Sequence, residues 1–237
     1  MPSSPRRAWN RIAVHLLPSR CFVCETPLPA VQLLGGCAAC WCRLAPPRGP
    51  ACPRCALPLA GGSLACASCA RHPLPLEAVT AAFVYDDVAR RFLLRAKRSS
   101  RPELLGPFGR QLAAAVRVSG IADGADVVVG VPSDAWTRLR RGFDPAGLIA
   151  SALARELGLP VVPALRRRLR HSAAKSLSRP ARWRSTRRAF LARGRVPGAV
   201  LLVDDVLTTG ATASACALAL ARAGATSVRL AVWARTL

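Results

Sequence analysis

The chain is short of acids. Its 237 residues include 12 Asp and Glu against 35 Lys and Arg, a formal net charge of +23. None of those acids falls between Leu157 and Val203. Such an excess attracts polyanions, although charge alone does not name one. Lysine is nearly missing as well, with only Lys97 and Lys175, so arginine carries the charge. Aromatic residues make up 5%, and the core has to come mainly from Ala, Leu and Val. No apolar run approaches the roughly 20 residues of a membrane span. The piece at 12–17, after Arg6, Arg7 and Arg11, is too short and interrupted for a signal peptide. These shortages predict a cytoplasmic protein with no membrane insertion. The three histidines, His15, His72 and His171, show no ligand or catalytic spacing.

Cysteine, by contrast, is plentiful and concentrated. Four CxxC pairs occur between residues 21 and 69: Cys21/Cys24, Cys37/Cys40, Cys52/Cys55 and Cys66/Cys69. A CxxC turn offers two thiolates to one metal, and two such turns complete a tetrahedral four-cysteine site. Gly35-Gly36 and Gly61-Gly62 sit between the pairs, well placed for hairpin turns. The spacing predicts two tandem zinc ribbons, each holding one structural Zn2+. A disulfide framework fits poorly with a cytoplasmic chain and a repeated metal spacing. Cys42 is an extra thiol beside the first site, and Cys216 reads as a small core residue. Ribbons this small have little core, so the metal should supply most of their folding energy.

The chain divides accordingly into a basic lead-in over 1–20, a double ribbon over 21–75 and an α/β domain over 76–237. A helix over 8–17 ends at Pro18. From residue 78, strand and helix patterns alternate: strand 78–85, helix 88–96, helix 102–118, strand 126–132, a helix ending at Leu157, strand 161–165, strand 199–203, helix 212–223 and strand 228–233. That alternation predicts a mainly parallel sheet with helices on both faces. Between the first two helices, Lys97-Arg98-Ser99-Ser100-Arg101 reads either as a solvated turn or as a pyrophosphate clamp. The arginine-rich stretch 166–195, with Trp183 and several serines interleaved, fits three roles equally. It could be an arm over an anionic substrate, a nucleic-acid surface or a solvated loop.

The most specific stretch is Val200-Leu201-Leu202-Val203-Asp204-Asp205-Val206-Leu207-Thr208-Thr209-Gly210-Ala211-Thr212. A buried strand ends in two carboxylates, and a small hydroxylated loop leads into a helix. Loop amides and the positive helix end suit a phosphate. The hydroxyls of Thr208, Thr209 and Thr212 can donate to the same anion. Asp204 and Asp205 can accept hydrogen bonds from neighbouring sugar hydroxyls. Together these residues describe a pocket for a ribose 5-phosphate, at the carboxyl end of a sheet where such crevices form.

These motifs, with the Val131-Pro132 and Arg140-Arg141-Gly142-Phe143 segments, resemble the ComF family of phosphoribosyltransferase-like proteins over about residues 20–237. The resemblance implies a type I phosphoribosyltransferase fold behind a double zinc ribbon. It implies 5-phosphoribosyl-1-pyrophosphate (PRPP) as ligand with Mg2+. Asp204 and Asp205 would hold the ribose hydroxyls, and Thr208, Thr209, Gly210, Ala211 and Thr212 the 5-phosphate. Lys97 would lie near the pyrophosphate loop, with Arg141 in the RRGF element. It implies by analogy a role in uptake of single-stranded DNA beside DNA-uptake proteins. The alternative is a non-catalytic accessory protein that binds single-stranded nucleic acid through its ribbons and arginine arm. The chain departs from the family pattern at Asp144-Pro145, where Asn-Gln is common, and at Ala174-Lys175-Ser176-Leu177, where a Gln-x-x-Leu element is usual.

Overall fold

The computed structural model describes residues 20–28, 35–59, 63, 65–71, 73–99, 101–168, 189–196 and 198–237. The lead-in helix, Gly61-Gly62, the three histidines, Ser100, Trp183 and the Ala174–Leu177 element lie outside them, as does most of the arm.

Strand β5 (Gly198–Leu207) is the axis of the molecule. Its Val200, Leu201, Leu202 and Val203 are fully buried, each contributing roughly 1.5–3 kcal/mol by leaving water. Side chains alternate across a strand, so Leu201 and Val203 join one core while Val200 and Leu202 join the other. A strand covered on both faces has no polar side. That explains the unbroken apolar run. β1 (Val79–Val84), β2 (Val127–Gly130) and β6 (Ala225–Arg235) complete a four-stranded parallel sheet in the order β1-β6-β5-β2.

Five helices alternate with these strands: α3 (Asp87–Arg98), α4 (Gly106–Ser119), α5 (Ala135–Arg141), α6 (Pro145–Leu157) and α7 (Ala211–Arg222). α3, α4 and α6 supply the core on the Leu201 face, and α7 the core on the Val200 face. Trp233 of β6 is buried at the first core, donating to Gln111 of α4 at 3.0 Å. No described helix is long and apolar enough to cross a membrane.

The structure departs from the sequence expectations in four places. The stretch expected as one helix from 102 begins as a 3-10 turn (Pro102–Leu105), and α4 starts only at Gly106. Pro107 has no amide hydrogen to continue an earlier helix. The strand expected over 161–165 is split. Val161 makes a single parallel bridge to Val128, and the strand proper is β3 (Leu165–Arg167), antiparallel to β4 (Phe190–Ala192). Pro163 interrupts the ladder between them. α3 runs on through Arg98, so Lys97 is helical instead of looped. The segment before Gly142 forms α5, capped by Asp134, which accepts from the Thr137 amide at 2.8 Å.

The cysteine-rich segment repeats one small design. In each half a knuckle carries the first CxxC pair, flanked by an antiparallel bridge (Arg20 to Pro27, Ala51 to Pro58). A short helix, α1 (Ala38–Trp41) or α2 (Ala67–Arg71), carries the last cysteine of each set. Trp41 stacks on Phe92 of α3 at 4.0 Å, fastening the first half. The Val79 amide donates to Pro53 at 2.7 Å, fastening the second to β1.

Candidate functional site

The acidic pair lies where β5 outruns a neighbour. β2 ends opposite Val203, while β6 accompanies β5 as far as Leu207. Asp204 and Asp205 therefore have no ladder partner on the β2 side at the carboxyl edge of the sheet. Lys97, on the last turn of α3, meets Asp205 at 2.5 Å with both side chains about four-fifths buried. Asp204 accepts from the Asp205 amide at 2.8 Å. Burial, followed by the adjacent charge of Asp205, pushes the Asp204 carboxyl up to about 8, with Asp144 adding to the rise and the Asp205 amide and Lys97 opposing it. Three carboxylates thus bear on this edge, and Lys97 offsets part of their charge. A ligand bringing hydroxyl donors or a divalent cation would relieve that crowding.

The hydroxyl-bearing loop 208–212 follows directly. Thr208 and Thr209 are exposed, and Thr212 is half-buried on the first turn of α7. The Ala211 amide reaches the Thr209 hydroxyl at 3.4 Å, and Ser214 is the first to bond back into the helix, onto Gly210 at 2.8 Å. The early amides of α7 are left facing outward, as at any helix start. Gly210 must be glycine: its φ is +78°, and a Cβ there would lie 2.8 Å from Leu74.

Opposite lies the segment after β2. The Val131 amide donates to Val203 at 2.8 Å, tying this segment to β5. Asp144 accepts from the Ser133 amide at 3.0 Å and its hydroxyl at 3.1 Å, closing residues 133–144 into one loop. Asp134 is lowered in pKa: burial would raise it, but the Thr137 hydroxyl and amide and the charge of Arg167 outweigh that. Arg141 ends α5 half-buried, with no contact to the acidic pair among the described residues. β3 and β4 form the paired base of the arginine arm, and Arg167 lies over the Phe190 ring at 5.6 Å.

A groove of about 560 Å3 runs along β1 past Pro46, Ala81, Phe83 and Val118. It carries no charged side chain, so it offers nothing to a phosphorylated ligand.

All eight expected metal ligands assemble. Cys21, Cys24, Cys37 and Cys40 form one set and Cys52, Cys55, Cys66 and Cys69 the other, the sulfurs of each within 4.8 Å of one another. Burial and then the neighbouring sulfurs push Cys40 up to about 12, while the Thr26 hydroxyl and amide draw Cys24 down to about 6. Four thiolates so close need a cation between them, and this donor set is that of structural Zn2+. Cys42 is exposed outside the first set, and Cys216 is buried in α7.

Two residues of the site escaped sequence reasoning. Asp144 stood out only as a departure from a family pattern, and its clamp on Ser133 has no local signature. Arg235 is 6% exposed, and it donates to the carbonyls of Leu207 (3.0 Å), Thr208 (2.8 Å) and Cys55 (2.8 Å). Nothing near it in sequence signals this.

Comparison with known proteins matches residues 12–70 to the double zinc ribbon domain. The chain is 32% identical to the DNA utilization protein YhgH of Salmonella typhimurium over 93% of its own length and 99% of the relative's. It is 31% identical to the protein of the same name in Escherichia coli K12, with the same coverage. Among solved structures, glutamine PRPP amidotransferase from B. subtilis aligns at 25% identity over 54% of this chain and 25% of that one, with a TM-score of 0.39. Purine phosphoribosyltransferase from Pyrococcus horikoshii aligns at 18% identity over 56% and 81%, with a TM-score of 0.34. With relatives at this identity along nearly their full length, and with the double ribbon ahead of a parallel α/β sheet, the chain belongs to the ComF family of phosphoribosyltransferase-fold proteins.

Proposed function

We propose that the carboxyl edge of β5 binds a 5-phosphoribosyl ligand, PRPP or another ribose 5-phosphate, with Mg2+, in a protein of DNA uptake or use. One observation carries this reading: two carboxylates on a strand end beyond the β2 ladder, with Lys97 salt-bridged to the second, directly precede a glycine-pivoted loop at a helix start. Asp204 and Asp205 accept the ribose hydroxyls. Thr208, Thr209, Gly210, Ala211 and Thr212 surround the 5-phosphate with amides and hydroxyls. Mg2+, held between the ligand's oxygens and the acidic edge, would neutralise pyrophosphate charge. Lys97 and Arg141 supply cations on the protein side. Phosphoribosyl transfer requires positioning and charge neutralisation of the leaving group, and no covalent protein intermediate.

Calorimetric titration with PRPP and Mg2+ tests the binding. Saturable binding to the wild type and none to the Asp204→Ala, Asp205→Ala double variant is the expected result. Equal binding by both would sink the assignment. Pyrophosphate release with candidate acceptors then separates a transferase from a ligand sensor.

A second reading, single-stranded nucleic-acid binding, has its own observation. α5 buries none of its residues; Trp136 is 75% and Leu139 76% exposed, among Arg138, Arg140 and Arg141. Exposed aromatics stack on bases while arginines meet phosphates. The ribbons and the arm would extend that surface. Fluorescence anisotropy with a labelled oligonucleotide should show affinity falling steeply with salt. A flat salt dependence would count against it.

A further inference from the structure

We infer that the second cysteine tetrad is a working part of the phosphoribosyl pocket, with Arg235 as the positioning residue that joins them. Zinc in that tetrad holds the 207–212 loop in its ligand-ready shape.

Arg235 lies at the end of β6, opposite Leu207 at the end of β5. Its guanidinium is buried, and no carboxylate lies within salt-bridge range of it among the described residues. A buried charge is tolerated only where strong dipoles surround it. Here the dipoles are carbonyls from two separate segments. Nε donates to Cys55 at 2.8 Å. Nη1 reaches Leu207 at 3.0 Å, Thr208 at 2.8 Å, and the carbonyl and hydroxyl of Thr236 at 2.5 and 3.0 Å. Thr236 donates its own amide to Leu207 at 3.1 Å, closing the network.

Cys55 is one of the four sulfur donors of the second tetrad. Its carbonyl is aimed by the knuckle, in which the Ala56 amide donates to Cys52 at 2.7 Å and Ala56 takes a φ of +56°. That left-handed alanine is strained, so the turn depends on something that holds its ends. The metal is that something. Release the metal, and the carbonyl that receives Arg235 loses its fixed direction. A second contact runs beside the first. Leu74, 6% exposed just beyond the second ribbon, lies against Gly210 at the pivot of the loop. Among the described residues the first ribbon makes no such contact; its fastenings are Trp41 on Phe92 of α3 and edge-on to Phe108 of α4, with Arg91 to the Val23 carbonyl and Arg95 to Glu25 from α3.

Two consequences reach the pocket. Arg235 holds the Leu207 and Thr208 carbonyls, so the N–H groups of those same peptide units, on Thr208 and Thr209, point the opposite way. Its charge also polarises those peptides, so the amides beyond them become stronger donors to a phosphate.

The test compares three full-length variants by zinc content, by hydrogen exchange of the amides at 207–214 and by PRPP–Mg2+ titration. Arg235→Met should keep two zinc ions, yet exchange its loop amides at least about tenfold faster and bind PRPP at least about tenfold more weakly, as loss of hydrogen bonds to a charged group implies. Cys66→Ser should lose one zinc and reproduce the faster exchange. Cys24→Ser should lose the other zinc and leave the loop at the wild-type rate. Wild-type loop exchange in Arg235→Met or Cys66→Ser, or equal loosening by Cys24→Ser, overturns the inference. Should Arg235→Met not fold, Arg235→Lys keeps the charge with fewer donors, and chelator titration of the wild type reads the same amides without a substitution. Only the titration arm rests on the proposed ligand. If the wild type binds no PRPP, that proposal fails while the exchange data still decide this one.

Discussion

The two ribbons are near copies in local chemistry and opposite in placement. Each is a knuckle, a bridge, a short helix and four sulfurs within 4.8 Å. The first leans on α3, whose last turn carries Lys97 to Asp205. The second leans on the ends of β5 and β6, reaching the Leu207 and Thr208 carbonyls through Arg235 and Gly210 through Leu74. One copy thus buttresses the helix that carries Lys97 and the other the 207–212 loop. Duplication of a small metal module supplies two rigid supports, and the surface each happens to meet decides what it supports.

Zinc removal should produce the largest effect, and the most general. Metal analysis should find two zinc ions per chain, and chelation should unfold both ribbons, since metal binding supplies most of the stability of such modules, roughly 10–16 kcal/mol per site in isolated zinc-finger peptides. A stoichiometry near one would mean that the two tetrads are not equivalent. Next comes Trp41→Ala, which strips the first ribbon's aromatic fastening. We expect a loss of roughly 2–3 kcal/mol in urea unfolding, below the cost for a fully buried tryptophan because Trp41 is only partly covered. Loop exchange at 207–214 should not change; if it does, the two supports are not separate.

A pH-dependent effect sits between the supports, at Asp204. Its carboxyl is raised to about 8 in the folded protein against an ordinary value of about 3.9. Between those values the folded state keeps a proton that the unfolded state has released. This group therefore stabilises the fold at low pH, and its contribution is lost as pH rises toward 8. Asp204→Asn should raise the melting temperature relative to wild type at pH 8, by about 2–4 °C for each kcal/mol recovered, and make no difference near pH 4. A gap that instead widens on acidification would show that Asp204 is ionised and paired. Glu25→Gln stands last. The Arg95–Glu25 pair is close at 2.7 Å, but both side chains are more than half exposed, so its loss should cost under about 1 kcal/mol in the same urea assay. A cost rivalling that of Trp41→Ala would move the first ribbon's anchor from the aromatic stack to the ion pair.

Much of this molecule is legible from local patterns. The apolar run ending at Val203 marks a doubly covered strand, and the acids and Gly210 after it mark the loop. Asp86 at the head of α3, Gly158 after α6 and the cysteine spacings act within a few residues of themselves. The misread places each have a specific physical cause. Lys97 was expected in a cationic loop, but burial of Phe92, Leu93 and Ala96 against the Leu201-face core carries the helix past it. α5 follows from Asp134 accepting from Thr137, a cap hidden in a segment without apolar periodicity. The strand expected at Val161 fails because Pro163 withholds the donor that its neighbour would need.

The two four-sulfur sites, the parallel α/β character and the acid-then-loop signature are written in local spacing, because each depends on one short segment. Tertiary packing alone sets which ribbon stands behind Lys97 and which behind the 207–212 loop, and brings Arg235 to Cys55 and Thr208. Those contacts are made to backbone carbonyls. Every residue has one, so no side-chain pattern could have announced them.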